Sequence, residues 1–175
     1  MPTGEEGRVT ISRAAGTMTF PAQFMLIAAM NPTPDGKMPH ESRSSPREIQ
    51  NYLGRISGPL LDRIDMHIEV PAVRFVDLTR ARPGETSAAI RARVVAARAI
   101  QRIRFKGRPG MTNARMGSRD FKLHIGMDDS IEAMLKNAMA EYNLSARAYD
   151  RILKVSRTIA DLNGDERVTA EHVGE

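Results

Sequence analysis

The sequence predicts an α/β segment over residues 1–78 followed by an all-helical segment over residues 79–175, and three observations carry that expectation. Seven apolar residues run unbroken from 24 to 30 and stop at Asn31-Pro32, the pattern of a strand covered on both faces in a parallel sheet. Just before it, Val9, Ile11, Met18 and Phe20 alternate with polar neighbours about a small turn at Ala14-Ala15-Gly16, the pattern of a hairpin with one buried face. From residue 79 the apolar spacing becomes helical and the charge changes with it. Residues 1–78 carry 8 basic and 9 acidic side chains, residues 79–125 carry 12 and 2, and residues 126–175 carry 6 and 10. All the excess positive charge falls on one middle stretch, which suits a polyanion or a solvated arginine face.

Each element has its own local signal. Pro21 ends the hairpin and the apolar run follows. Residues 32–45 are rich in Pro, Ser, Gly and charge, so they predict an exposed loop. Ser45, Pro46 and Glu48 fit the cap, first and third positions of a helix reaching about Leu53. Gly58-Pro59 breaks the chain, "LLDRID" suggests a short helical turn, and "MHIEVP" alternates as a further strand. After Pro83-Gly84, Thr86 or Ser87 is placed to cap a long helix with an apolar stripe of Ile90, Val94, Ala97, Ile100 and Ile103. Residues 107–126 read as a loop. Asp129 predicts the next cap, with Ile131, Met134, Leu135, Ala138 and Tyr142 facing inward and Asn143 at the end. Ser145 caps another helix, whose inward face would be Tyr149, Ile152, Leu153, Ser156 and Ile159. Asn163-Gly164 stops it, and Thr169 opens a last one.

At 175 residues and 41% hydrophobic, the chain is long enough for one core, or one core and a small satellite. The absence of cysteine excludes disulfides and thiolate metal sites. No apolar run approaches a membrane span, and the opening "MPTGEEGRVT" has neither a basic nor an apolar leader region. A soluble cytoplasmic protein is the expectation.

Ligands of an open parallel sheet sit beyond the carboxyl ends of its strands. Asn31 stands at such an end, and Pro32 biases its backbone away from the helical region. Its amide is available there as donor and acceptor, or alternatively bonds the turn that follows. Three blocks, "GRVTISRAAGTMTFPAQFMLIAAMNPTP", "YLGRISGPLLDRIDMHIEVP" and "NLSARAYDRILKVSRTIADLNG", together resemble the magnesium-chelatase-like AAA+ ATPases, most closely their ComM/YifB branch. The resemblance covers nearly the whole chain. It implies that residues 1–78 are the C-terminal part of a P-loop α/β core with a β-hairpin insertion, and that residues 79–175 are an all-α lid. It further implies that the hairpin points toward the pore of a ring, that Asn31 is sensor 1 at the γ-phosphate, that Arg63 is an arginine finger acting in trans, and that Arg147 is sensor 2. Arg55 is the runner-up for the finger.

These roles make chemical sense. Phosphoryl transfer needs placed cations and a positioned water rather than covalent help, and arginine forks onto phosphate oxygens. Arg147 lies near a helix start, where a cation opposes the dipole unless an anion faces it. Arg63, beside Asp62 and Asp65, has a surface ion pair as its alternative. The same likeness implies ATP and Mg²⁺ as cofactors of the intact protein, a homo-oligomeric ring, expected to be a hexamer, and DNA as partner, with Arg13, Arg91, Arg98 and Arg102 as DNA-facing candidates. No G-x-x-x-x-G-K-S/T and no Asp-Glu pair ending a buried strand occur. The chain therefore reads as the second half of an ATPase module, excised or truncated, inactive alone and without tight ATP binding. The loop after Asn31 lacks the cysteines common in that branch, and His40 with Asp35 and Glu41 is too weak a cluster for a metal. Two other functions stay open, the motor subunit of a chelatase inserting Mg²⁺ into a porphyrin and a non-enzymatic assembly module.

Overall fold

The computed structural model describes residues 7–13, 16–71, 73 and 84–175. The chain divides into two compact units, Met1–Ser57 and Gly58–Glu175. The architecture is mixed α/β, with one small sheet and several helices among the described residues. The expected boundary between residues 78 and 79 lies outside the described residues.

In the first unit, strands β1 (Arg8–Arg13) and β2 (Gly16–Pro21) pair antiparallel, with Val9 opposite Phe20 and Ile11 opposite Met18. The other face carries hydroxyl pairs, Thr10 to Thr19 at 2.9 Å and Ser12 to Thr17 at 3.1 Å. The hairpin is the predicted one, but its apolar face is not buried. Ile11, Met18 and Phe20 are all exposed, because two strands supply no second layer to cover them.

Residues 24–30 depart further from expectation. They form no strand, and Met25 is 81% exposed. An extended segment becomes a strand only by exchanging hydrogen bonds with neighbours, and among the described residues the single sheet is β1 with β2. Residues 66–71, also expected as a strand, are irregular and exposed for the same reason. Helix α1 (Pro46–Leu53) does match. Ser45 Oγ accepts from the Glu48 N–H, the Glu48 carboxylate accepts from the Ser45 N–H at 2.7 Å, and Pro46 occupies the first turn.

The second unit holds α2 (Gly58–Leu61), α3 (Ser87–Arg104), α4 (Ser118–His124), α5 (Asp129–Glu141), α6 (Ala146–Asn163) and α7 (Ala170–Gly174). Its core gathers Phe105, Met116, Phe121, Ile125, Ile131, Leu135, Leu153, Ala160 and Val168. Three of these come from the stretch expected to be a loop. There the chain forms a 3-10 turn (Asn113–Arg115) and α4, with Phe121 and Ile125 one turn apart and both buried. Asp120 starts that helix by accepting from the Gly117 N–H at 3.1 Å. Seven residues are too few to print a helical period.

The other caps are close to those read from the sequence. Thr86 accepts from the Ala89 N–H, Asp128 (one residue before the expected Asp129) from the Ile131 N–H, and Ser145 from the Ala148 N–H. Asn143 ends α5 at φ 50°, and Gly164 ends α6 at φ 81°, left-handed conformations that suit asparagine and glycine. The stripe on α3 is corrected. Ala97 is buried and Ile100 half-buried, but Ile90, Val94 and Ile103 are exposed, and every residue from 87 to 96 faces solvent. On α5, Ile131 and Leu135 are buried while Tyr142 is exposed.

Candidate functional site

Asn31 lies in the first unit, directly after the apolar run. Its side chain is exposed and makes no hydrogen bond among the described residues, so the alternative in which it bonds the following turn has no support. Gly36 is near the amide: a methyl carbon added there would lie 3.6 Å from Asn31 Nδ2. Residues 33–45 form a knotted loop centred on Asp35. Arg55 is exposed in the turn after α1, its backbone N–H bonded to the Tyr52 carbonyl. Arg13 ends β1 beside residues 14–15, which lie outside the described residues.

The two arginines assigned to phosphate are in the second unit. Arg63 follows α2, is exposed, and donates from Nη1 to the Pro59 carbonyl at 2.8 Å. Arg147 is in the first turn of α6, exposed, and unpaired among the described residues. Their chain neighbours Ile64 and Ala148 line one cleft of about 280 Å³, together with Asp65, His67, Arg151 and His172. Arg151 Nη1 donates to the Ile64 carbonyl at 2.7 Å, which pins the segment after Arg63 along α6. Arg63 and Arg147 do not themselves line this cleft; each stands one residue from a side chain that does.

The basic helix is the third feature. Arg91, Arg98 and Arg102 are exposed on α3, and a 100° step per residue puts them within about 40° of one another. Arg93 is engaged by Glu85 at 2.8 Å. Among the described residues no three His, Asp or Glu side chains come together as metal ligands. His40 lies 3.7 Å from Glu41 on the surface. No described helix is long and apolar enough to cross a membrane.

The sequence reading missed a buried polar hub beneath the second unit. Asp161 accepts from Arg104 Nη1 at 2.6 Å, Asn113 Nδ2 at 2.7 Å and Arg157 Nη2 at 2.9 Å. Arg157 is 1% exposed and also donates to the Asp165 and Glu166 carbonyls. Burial disfavours the Asp161 charge, but the hydrogen bonds from Arg104 and Asn113 and the positive charges of Arg104 and Arg157 outweigh it, so its carboxyl stays below the ordinary range. Ser156, Arg157, Ala160 and Asp161 fall on the inward stripe that Leu153 begins, and that spacing was the available signal.

Comparison with known proteins supplies the remaining findings. Residues 2–78 match the family model described as magnesium chelatase, subunit ChlI, and residues 84–175 match the one described as its C-terminal part. Competence protein ComM of Haemophilus influenzae is 43% identical over 98% of this chain and 33% of its own length. YifB of Escherichia coli is 38% identical over the same shares. The chloroplastic magnesium-chelatase subunit ChlI-2 of Arabidopsis thaliana is 24% identical over 99% of this chain and 36% of its own. The chain therefore spans about a third of the length of the curated relatives it matches.

Proposed function

This chain belongs to the magnesium-chelatase subunit ChlI family, and from that premise we propose that it is the sensor-and-lid part of a ring-forming AAA+ ATPase that remodels DNA. The observation that carries the reading is the 43% identity to a competence protein across 98% of the chain. In this reading residues 1–78 complete a P-loop core, residues 79–175 form its lid, and the intact protein is a cytoplasmic hexamer driven by ATP and Mg²⁺. Its work on DNA is branch migration.

Asn31, Arg63 and Arg147 are the groups that meet the nucleotide. An exposed amide with no partner of its own among the described residues is free to orient the attacking water or bond the γ-phosphate. Arg63 spreads charge over the transferring phosphoryl from the neighbouring protomer, and Arg147 closes the lid over it. Arg55 stands second to Arg63 for the finger. These side chains fit the phosphates of ATP, whereas the described residues offer no ligand set for Mg²⁺. Bound nucleotide supplies the bond to be broken, and the chain contributes orientation and charge.

The chain alone, having no phosphate loop sequence, is expected to show no micromolar ATP affinity by isothermal titration; such affinity would contradict the assignment. In a longer protein carrying this segment and a phosphate loop, Asn31→Ala is expected to lower kcat by roughly 10²–10³ with less change in KM. An unchanged kcat removes Asn31 from the nucleotide site.

DNA contact is assigned to Arg91, Arg98 and Arg102, with Arg13 on the hairpin. Exchanging the three helix arginines for alanine is expected to weaken binding of this chain to duplex DNA and to flatten its log–log salt slope by roughly 2–3. Equal slopes would mean that these arginines face only solvent or another subunit. The chelatase motor ranks second, since the plastid subunit shares only 24% identity.

A further inference from the structure

The segment that carries Arg63 has almost no burial of its own. Helix α2 buries none of its residues, and from 58 to 71 every residue is exposed except Ile64, which is half-buried. A segment with so few buried contacts has little apolar packing to fix it. Within itself, however, it is well bonded. The Asp62 N–H donates to the Gly58 carbonyl at 2.9 Å, the Arg63 N–H to the Leu60 carbonyl at 3.0 Å and the Ile64 N–H to the Leu61 carbonyl at 3.0 Å. The Arg63 side chain belongs to the same turn, since its Nη1 donates to the Pro59 carbonyl at 2.8 Å. Residues 58–64 therefore form one bonded turn, backbone and guanidinium together.

That turn is seated on α6 at Ile64. Arg151 Nη1 donates to the Ile64 carbonyl at 2.7 Å, a charge-assisted bond one residue beyond Arg63. The bond falls at the single position between 58 and 71 that is even half-buried. Arg151 is half-buried as well, and it lines the cleft of about 280 Å³ with Ala148 and Ile152 of α6 and with Ile64, Asp65 and His67. Space of that size is not filled by packing, which leaves the hydrogen bond as the defined link there. Arg147 stands four residues before Arg151 on α6, one helical turn away and on nearly the same face.

We propose that Arg151 is a positioning residue for Arg63: its bond to the Ile64 carbonyl seats the turn 58–64 on α6, so that Arg63 and Arg147 are held in one frame. The inference rests on the reading of Arg63 as the arginine finger. A side chain that served only the stability of α6 would, when exchanged, leave both the order of the turn and the contribution of Arg63 to kcat unmoved.

Two measurements test it. In the ¹⁵N-labelled chain the Arg63 and Ile64 backbone amides are expected near the rigid limit, an order parameter of about 0.85, and in Arg151→Met below about 0.6. Methionine keeps an apolar stem in the cleft and removes the donors. Arg151→Lys, still a donor, is expected to recover part of the order. The amides of residues 153–161 serve as the check that the unit is folded, and they are expected not to change. A turn that keeps its order in Arg151→Met overturns the proposal. In a longer protein carrying this segment and a phosphate loop, Arg151→Met is expected to lower kcat by roughly 10² with less change in KM. It is expected to add nothing in an Arg63→Ala background. An equal further fall in that background also overturns the proposal, because Arg151 would then act through another group. An unchanged kcat in Arg63→Ala itself removes the finger reading, and the relaxation result alone then decides whether Arg151 seats the turn. The two failures are therefore distinguishable.

Discussion

Asp161 is the residue on which the helical unit has most to lose. It neutralises two arginines that the fold has taken out of water, Arg157 at 1% exposure and Arg104 nearly as deep. Removing one partner of a buried ion pair leaves the other uncompensated and costs about 3–5 kcal/mol. Asp161→Ala leaves two like charges in that state, so urea unfolding of the chain should lose at least that much. A loss under about 1 kcal/mol would mean that water reaches the hub. By contrast, Arg147→Ala, an exposed side chain unpaired among the described residues, should leave stability within about 0.5 kcal/mol. At this scale the sequence was legible in part. Asn31, Arg63 and Arg147 stand out by their neighbours in the chain, whereas the hub depends on Arg104, Asn113 and Asp161 meeting from distant positions. Asp35 shows the same limit. Its place among prolines and serines reads as loop, and only folding brings Thr33, Ser42 and Arg43 onto one carboxylate.

Single elements were readable where their ends carry chemistry. Ser45, Ser145 and Gly164 each mark a terminus through a local hydrogen bond or a permitted dihedral and stand where the sequence put them, and Thr86 takes the cap for which Thr86 and Ser87 were both candidates. Asp128 took the place expected of Asp129 because its carboxylate reaches the Ile131 N–H at 2.9 Å. Burial was the less legible property. Hydrophobic spacing names a face but not what covers it, and so Ile90 and Val94 on α3, Met18 and Phe20 on the hairpin, and the whole run 24–30 are apolar yet exposed. Helix α3 consequently has two different halves. From 87 to 96 nothing is buried, while Ala97, Gln101 and Arg104 pack or bond within the unit. Hydrogen exchange should follow that division, since protection tracks buried contacts. Amides in the first half are expected to exchange faster than those after Ala97 by a factor of ten or more. Uniform protection along α3 would show that the first half is covered in solution.

For the molecule as a whole, acid is the informative perturbation. His124 is held below its ordinary pKa by burial, then by Arg104, so it is neutral in the native unit and binds a proton more readily when unfolded. Its contribution is complete above about pH 6.5 and is lost as pH falls through the native value. Asp161, Asp120 and Asp128 are depressed too, and their contribution is complete above about pH 3.9 and is lost below it. Thermal midpoints should therefore fall in two stages, the upper one abolished by His124→Gln. A single stage in both proteins would remove His124 from the account. The whole is also where the family likeness had most to say. Matches over residues 2–78 and 84–175 agree with the resemblance carried by three blocks of sequence, while the covered strand expected at residues 24–30 is not formed among the described residues: periodicity names an apolar segment and not its partners. The buried hub has one mechanical consequence. It clamps the last turns of α6 to α3 and to the carbonyls of residues 165 and 166, leaving Arg147 ten residues away, about 15 Å along a stiff rod. Ala148 and Leu153 are buried along that rod, so Arg147 takes its position from a helix held at both ends.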